Sequence, residues 1–453
     1  MEHEDRDIPY MTLNPKAGKP PRRPSKEGLA PRACALDAFG QILGRGRSMD
    51  DALNGHDGFS RLIPSERAFA RTLIRTTLRH WGQADDLIKT CLERPLPKRA
   101  TGVKDLLRLG IAQLLFMDTA AHAAVGSTVA LAQTQGHGPH KGLINAILRR
   151  LGRDGKAMVQ AQDAARLNTP DWLWESWTQT YGEKTCRLIA EAHMNEPALD
   201  ITPKGDVEKW AQALGAEVLP TGTLRLVRAG PVTKLPGFAE GAWWVQDAAS
   251  ALPARLLGDI KGKRVLDLCA APGGKTAQIA AAGARVTALD RSEKRLARLR
   301  ENLTRLNLEA ETVIADAARW KPAEPADAVL LDAPCSSTGT IRRHPDIAYL
   351  KRPEDVTKLA QVQERLLEAA LDMVRPGGIL IYATCSLQPE EGLDRVRALI
   401  VGGAPVERLS IAVEELGGMA ELITPDGDLR SLPYHLGAQG GMDGFYCARL
   451  KKR

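Results

Sequence analysis

Two cysteines carry the most legible chemistry in this chain. Cys335 stands in Asp332-Ala333-Pro334-Cys335-Ser336-Ser337, and Cys385 in Ala383-Thr384-Cys385-Ser386-Leu387. Each follows an apolar run that reads as a strand, 328–332 and 379–384. A thiolate is a strong nucleophile once its pKa is lowered. Carbon 5 of cytosine is a poor one. Addition of a thiolate to carbon 6 turns the ring into an enamine, and carbon 5 then attacks the methyl of a sulfonium. An acid near ring nitrogen 3 favours the addition, and Asp332 is placed to supply that proton. The proton on carbon 5 must then leave and the enzyme thiol must be eliminated, a release that a second thiol assists. A lone buried cysteine is usually inert. Two of them in matched strand-end loops beside a cofactor loop point the other way.

That cofactor loop is Cys269-Ala270-Ala271-Pro272-Gly273-Gly274-Lys275, between a strand at 265–269 and a helix from Thr276. Glycines there let the backbone approach a ligand closely. Gly274-Lys275-Thr276 resembles the end of a phosphate-cradling P-loop, but Cys269 occupies the position of its first glycine, so that pattern fails. The dinucleotide pattern G-x-G-x-x-G fails too. The next two strands lead to Asp290, suited to ribose hydroxyls, and Asp316, suited to an adenine amino group. A nucleoside ligand without a polyphosphate, such as S-adenosylmethionine, fits these features. Cys269 reads as backbone contact or packing; Cys34, Cys91, Cys186 and Cys447 read as core.

Elements of three kinds position these residues. Strands and helices alternate from Val265 onward, which argues a parallel, doubly wound α/β sheet. A terminal strand follows Asp443. Residues 31–155 show only helical spacing, with helices over 33–43, 69–81, 103–117, 125–132 and 143–151 and a connector over 152–165. This is an all-α domain whose Arg71, Arg75, Arg79, Lys141, Arg149 and Arg150 read as its wet face. Residues 165–242 form a small α+β subdomain with tryptophans read as core. Residues 1–30 hold a Pro- and basic-rich arm that is too polar to bury a core. The catalytic unit is 243–453.

With 453 residues, the chain is long enough for two or three domains. Its 62 Lys+Arg against 55 Asp+Glu give a net charge of +7, compatible with a polyanionic partner. The charged opening Glu2 to Asp7 suits neither a signal peptide nor a membrane span. Seven scattered cysteines without a CxxC pair argue a reduced, cytoplasmic setting and no metal.

The run 266–276 resembles the cofactor motif of the Nol1/Nop2/Sun RNA cytosine-5 methyltransferases. The Pro334-Cys335 and Thr384-Cys385-Ser386 segments are similar to that family's two cysteine motifs. Val245-Gln246-Asp247-Ala248-Ala249-Ser250, Arg343-His344-Pro345-Asp346-Ile347 and Asp443-Gly444-Phe445-Tyr446 resemble further family segments, together covering about 243–451. Tyr446 stands where the family usually has Phe. Leu143-Ile144-Asn145-Ala146-Ile147-Leu148-Arg149 resembles a NusB-type RNA-binding domain, and the fusion is similar to the Sun/Fmu type, which modifies small-subunit (16S) ribosomal RNA. The resemblance implies a class I, Rossmann-like methyltransferase fold using S-adenosylmethionine, with RNA as partner and the chain acting as a monomer. It implies Cys385 as nucleophile, Cys335 in product release, and Cys269 to Lys275, Asp290, Asp316 and Asp332 around the cofactor.

Three rivals remain on sequence grounds. DNA cytosine methyltransferases pair their Pro-Cys with a downstream Glu-Asn-Val, which is absent here. A tRNA substrate would need the same motifs. A non-catalytic RNA-binding assembly factor would be expected to have lost part of the Asp290, Asp316, Asp332, Cys335 and Cys385 group. Arg342 and Arg343, beside the Pro-Cys loop, are expected to meet RNA phosphates.

Overall fold

A computed structural model describes residues 26–97, 100–117, 119–227 and 229–453. Most of the basic arm, residues 1–25, lies outside the described residues. Lys26–Leu29 form a 3-10 turn, and the first helix begins at Ala30.

The N-terminal region is helical through Gln160. Its helices include Ala30–Arg45, Pro64–Arg79, Trp81–Cys91, Thr101–Ile111, Ala121–Thr134 and Lys141–Gln160. The helix at Pro64 starts where the sequence signalled it, and Glu66 reaches back to accept from the Ile63 N–H (3.3 Å). The expected connector over 152–165 is instead largely helix. The last helix runs on through Gly152 and Gly155 because Gly155 faces the core, where a Cβ would come within 2.9 Å of the Leu115 side chain. Gly155 serves close packing, Gly152 is exposed, and neither breaks the helix. Arg79 also departs from its expected wet-face role: it is 7% exposed and points into the junction with the rest of the chain.

A connecting region follows, with helices Asp171–Tyr181 and Glu183–His193. A four-stranded antiparallel sheet comes next, from β1 (Leu199–Pro203), β2 (Glu217–Val218), β3 (Leu224–Leu226) and β4 (Trp243–Val245), in the order β2-β3-β1-β4. Trp177 and Trp243 are fully buried core residues.

The large sheet contains β5 (Arg264–Leu268), β6 (Arg285–Asp290), β7 (Glu311–Ile314), β8 (Ala326–Asp332), β9 (Val374–Thr384), β10 (Val406–Arg408), β11 (Leu429–Ser431) and β12 (Phe445–Lys452). Its order is β10-β12-β9-β8-β5-β6-β7, with β11 paired on β12. Strands β9 to β7 along this path are parallel, and β12 enters antiparallel beside β9. The helix Glu293–Leu306 shows why such covers form. Leu296, Leu299, Leu303 and Leu306 recur at three and four spacing and are buried, while its arginines and glutamates stay outside. Burying each leucine contributes roughly 2 kcal/mol. The chain winds from β5 outward to β7, then returns to β8 on the other side of β5. That reversal opens a crevice at the C-terminal ends of β5 and β8, where open α/β sheets bind ligands.

Candidate active site

The crevice is a cavity of about 500 Å3. The loop after β5 forms one wall, from Ala270 to Lys275, and Asp332, Arg343, Cys385 and Phe445 line another side. Gly273 turns the loop with φ +103°, and a Cβ there would meet Leu299 at 2.7 Å. Only glycine suits that position. Beneath the loop, Thr276 donates to buried Asp267 (2.6 Å). Burial lifts the Asp267 carboxyl to about 7.

The two thiols meet. Parallel pairing of β8 and β9 brings their ends together, and the Cys335 and Cys385 Sγ atoms are 3.4 Å apart. Gly339 makes this approach possible, since a Cβ there would lie 2.0 Å from the Gly444 carbonyl oxygen and 2.9 Å from that of Cys385. The surroundings of the two sulfurs differ. Cys385 feels the Lys275 ammonium, and Cys335 feels the Glu391 carboxylate. Cys335 donates its S–H toward Cys385. That hydrogen bond, helped by one from Ser337 and then by Lys275, holds the Cys385 thiol below its ordinary pKa against the opposing effects of burial and Asp332. The same bond, with burial and Glu391, pushes Cys335 well up. The charge asymmetry fits a Cys385 thiolate beside a Cys335 thiol.

Lys275 donates to Asp332 (2.7 Å) and lies over the Phe445 ring. Burial opposes its charge, but the Asp332 carboxylate outweighs this and raises the ammonium's pKa. Asp332 therefore stands here as half of an ion pair, with the proton on Lys275.

The remaining predicted residues are more scattered. Cys269 has left-handed backbone (φ 62°), and burial with three nearby carboxylates pushes its thiol to about 12, so it is inert. Asp290 and Asp316 are not among the residues lining the cavity. Asp290 is buried, accepts from the Ala271 and Ser292 N–H groups, and pairs with Arg295 (3.2 Å). Asp316 is exposed and caps its own turn through the Ala318 N–H (3.0 Å). Arg343 reaches the cavity but is clamped by Asp443 (2.5 Å). Arg342 corrects the expectation of a phosphate contact: it is 1% exposed and paired with Asp247 (2.8 Å), so phosphate cannot reach it.

Several supporting residues escaped the sequence reading. Trp177 and Tyr181 of the connecting region donate to Gln388 (3.1 Å) and the Leu387 carbonyl (2.6 Å), holding the Cys385 loop from outside the large sheet. Glu391 lies beneath both thiol loops. An acid six residues beyond Cys385 is a weak signal in a sequence.

A cavity of this size suits a small cofactor, for which roughly 300–1,000 Å3 is usual. Its lining suits a nucleoside carrying an amino acid: backbone at the loop, the apolar Trp244 and Phe445, and the polar Gln246, Arg295, Asn302 and Asp332. Fold and crevice together define an S-adenosylmethionine-dependent methyltransferase of the Rossmann-like class. A sequence model of the family described as 16S rRNA methyltransferase RsmB/F matches residues 254–451, and one of the NusB family matches residues 29–153. The chain is 36% identical over 446 residues to a Vibrio cholerae protein named ribosomal RNA small subunit methyltransferase B, covering 93% of this chain and 97% of that one. A Pseudomonas putida protein of the same name is also 36% identical, covering 94% of this chain and 99% of its own length. The chain belongs to this ribosomal RNA small subunit methyltransferase B family. Among solved structures, that of PH0851 superposes with a TM-score of 0.71 at 22% identity, covering 93% of this chain and 99% of its own. The NSun6 structure from Pyrococcus horikoshii gives 0.54 at 21% identity over 62% of this chain and 98% of its own. Both agree with the fold. No helix among the described residues is long and apolar enough to cross a membrane.

Proposed function

We propose that this chain methylates carbon 5 of a cytosine in 16S ribosomal RNA through a covalent adduct on Cys385. The observation that carries this reading is the pair of thiols 3.4 Å apart in a cofactor-sized crevice, with Lys275 beside Cys385. The Cys385 thiolate adds to carbon 6 of the base. Lys275 and Asp332 together hold the proton that the ring nitrogen draws on as charge builds there. S-adenosylmethionine supplies the methyl as an electrophilic sulfonium. Water then takes the proton from carbon 5, the bond between sulfur and carbon 6 breaks, the ring nitrogen returns its proton to the Lys275–Asp332 pair, and Cys385 departs as thiolate, with Cys335 assisting that release. Ala270 to Lys275 and Asp332 would hold the cofactor from the cavity wall, Cys269 through its backbone, and Asp290 and Asp316 from the neighbouring strand ends. The target base must be single-stranded or flipped to reach the thiol.

The helical domain (31–155) acts in this reading as an RNA-docking module, the α+β subdomain (165–242) as a brace and 243–453 as the catalytic unit, in a cytoplasmic monomer. The deciding experiment transfers labelled methyl from S-adenosylmethionine to unmodified 16S ribosomal RNA and, separately, to tRNA, followed by nuclease digestion. Label in 5-methylcytosine from 16S RNA is expected. Label in tRNA alone would overturn the substrate, and label on another base or atom would overturn the chemistry.

A further inference from the structure

Glu391 is fully buried, six residues beyond Cys385, and touches neither sulfur. One carboxylate oxygen accepts from the Ser336 N–H (2.8 Å) and from the Gln363 amide (3.1 Å). The other accepts from the Ser386 hydroxyl (2.5 Å) and from the Ser336 hydroxyl. Ser336 follows Cys335, and Ser386 follows Cys385. Gln363 also donates to the Pro334 carbonyl (2.9 Å). Both residues flanking Cys335 therefore hang on one carboxylate, directly or through Gln363.

The Cys385 loop has supports besides Glu391, two from the chain just after Cys335 and two, Arg430 and Trp177, from elsewhere. The Cys385 carbonyl accepts from the Gly339 N–H (2.9 Å). The Ser386 carbonyl accepts from Arg430 (2.6 Å), and the Leu387 N–H donates to Thr338 (2.9 Å). Gln388 is tied to Trp177. Among the described residues, the Cys335 thiol has hydrogen-bond partners only in Cys385 and Ser337. Removing the carboxylate would leave the Ser336 N–H without its acceptor in a dry site and its hydroxyl with only the Ser386 hydroxyl (3.1 Å), and the Cys335 loop would shift to relieve them. The Cys385 loop would lose one of several ties.

We propose that Glu391 is the positioning residue that sets Cys335 against Cys385, and that it serves product release rather than adduct formation. This rests on the thiol roles proposed above. The test follows single turnovers of full-length chain with 16S RNA and labelled cofactor, measuring methyl transfer and denaturant-resistant RNA–protein adduct in wild type, Cys335→Ala, Glu391→Gln and Gln363→Leu. In Glu391→Gln, first-turnover methyl transfer should stay within about threefold of wild type, while release slows about tenfold or more, the scale of a lost hydrogen bond to a charged group. Adduct then accumulates as in Cys335→Ala. Gln363→Leu, which keeps the carboxylate, should show the same split more weakly, and it carries the test if Glu391→Gln fails to fold. A disturbed fold would lower transfer and release together; that result, or normal release, would overturn the inference. No adduct in Cys335→Ala would overturn the thiol assignment and this inference with it. Adduct in Cys335→Ala but in neither of the other variants would overturn the inference alone.

Discussion

In the wall of the crevice, Arg225 meets Asp200 through two hydrogen bonds of 2.7 and 2.6 Å, with both side chains almost fully buried. At the junction between the helical domain and the loop after Cys335, Arg79 is about as buried, but among the described residues it donates only to the Arg342 carbonyl (3.1 Å) and its Nε has no partner. The same contrast holds for their neighbours. Lys275 pairs with Asp332, Arg342 with Asp247 and Arg343 with Asp443 in and around the crevice. At and beside the junction lie half-buried His80, buried His193, whose Nε2 has no hydrogen-bond partner among the described residues, and half-buried His344. Charge is matched where chemistry needs fixed geometry. Where two domains are only held together, it is suppressed: burial first, then nearby arginines, keeps those histidines neutral to about pH 4, 3 and 4.

The sharpest division between the regions is functional. Cys385→Ala should lower methyl transfer by about four orders of magnitude or more, as loss of a nucleophile does. Full activity in that variant would end the reading of the crevice as a covalent site. Substitutions confined to the junction should leave first-turnover chemistry near wild type.

Stability tests the charge matching itself. Asp200→Ala would leave Arg225 buried and unpaired, which costs about 3–5 kcal/mol. It also removes the acceptor of the Ala248 N–H (3.1 Å). A thermal midpoint unchanged from wild type would show that the pair is not as dry as its burial indicates.

Acid should then find the junction first. The three histidines have folded pKa values below their unfolded value of about 6.5, so the unfolded chain takes up protons before the folded one. Their contribution is complete above pH 6.5 and is lost as pH falls from there toward 4. The cost is about 1.4 kcal/mol per histidine for each pH unit in that window. Melting curves between pH 7 and 5 should show it, and His193→Leu should flatten the slope. An unchanged slope would mean that the junction admits solvent.

Lys275→Met removes the positive charge beside Cys385. The thiol pKa should rise, so activity should climb at higher pH than in wild type, with the maximal rate lower by about 100-fold, the smaller end of what a positioned proton donor supplies. A pH profile that keeps its position would mean that the hydrogen bond from Cys335, and not the Lys275 charge, holds the Cys385 thiol down.

How far the sequence anticipated these regions follows from how local their causes are. The β5 loop, the paired thiol motifs and most large-sheet strands rest on short-range patterns, and they lie within a few residues of where periodicity and turn residues put them. Burial of Arg342 and Arg79, and the ties of Glu391 to Ser336 and Gln363, depend on partners between 28 and 263 residues away. Nothing in a local window distinguishes such an arginine from a solvated one. Asp332 was legible as a site residue, but its ion pair with Lys275 required knowing that β5 and β8 are neighbours.

The smallest effect is the most discriminating. Arg79→Met removes a buried guanidinium that makes no direct ion pair among the described residues, Glu196 acting on it only from a distance, and whose pKa burial has already lowered to about 10. The methionine fills similar space with apolar atoms. Two terms oppose each other: the Arg342 carbonyl loses a donor, and the chain no longer has to desolvate an unpaired charge. They are of similar size, so the melting midpoint should move by no more than the equivalent of about 1 kcal/mol. The loop from Cys335 to Leu350 keeps its other ties to the helical domain, the Tyr349 hydroxyl to the Leu78 carbonyl (3.0 Å) and the Met49 N–H to Asp346 (2.9 Å). A loss of 3 kcal/mol or more, matching Asp200→Ala, would erase the distinction between the two regions and mean that Arg79 holds a partner as firmly as Arg225 does.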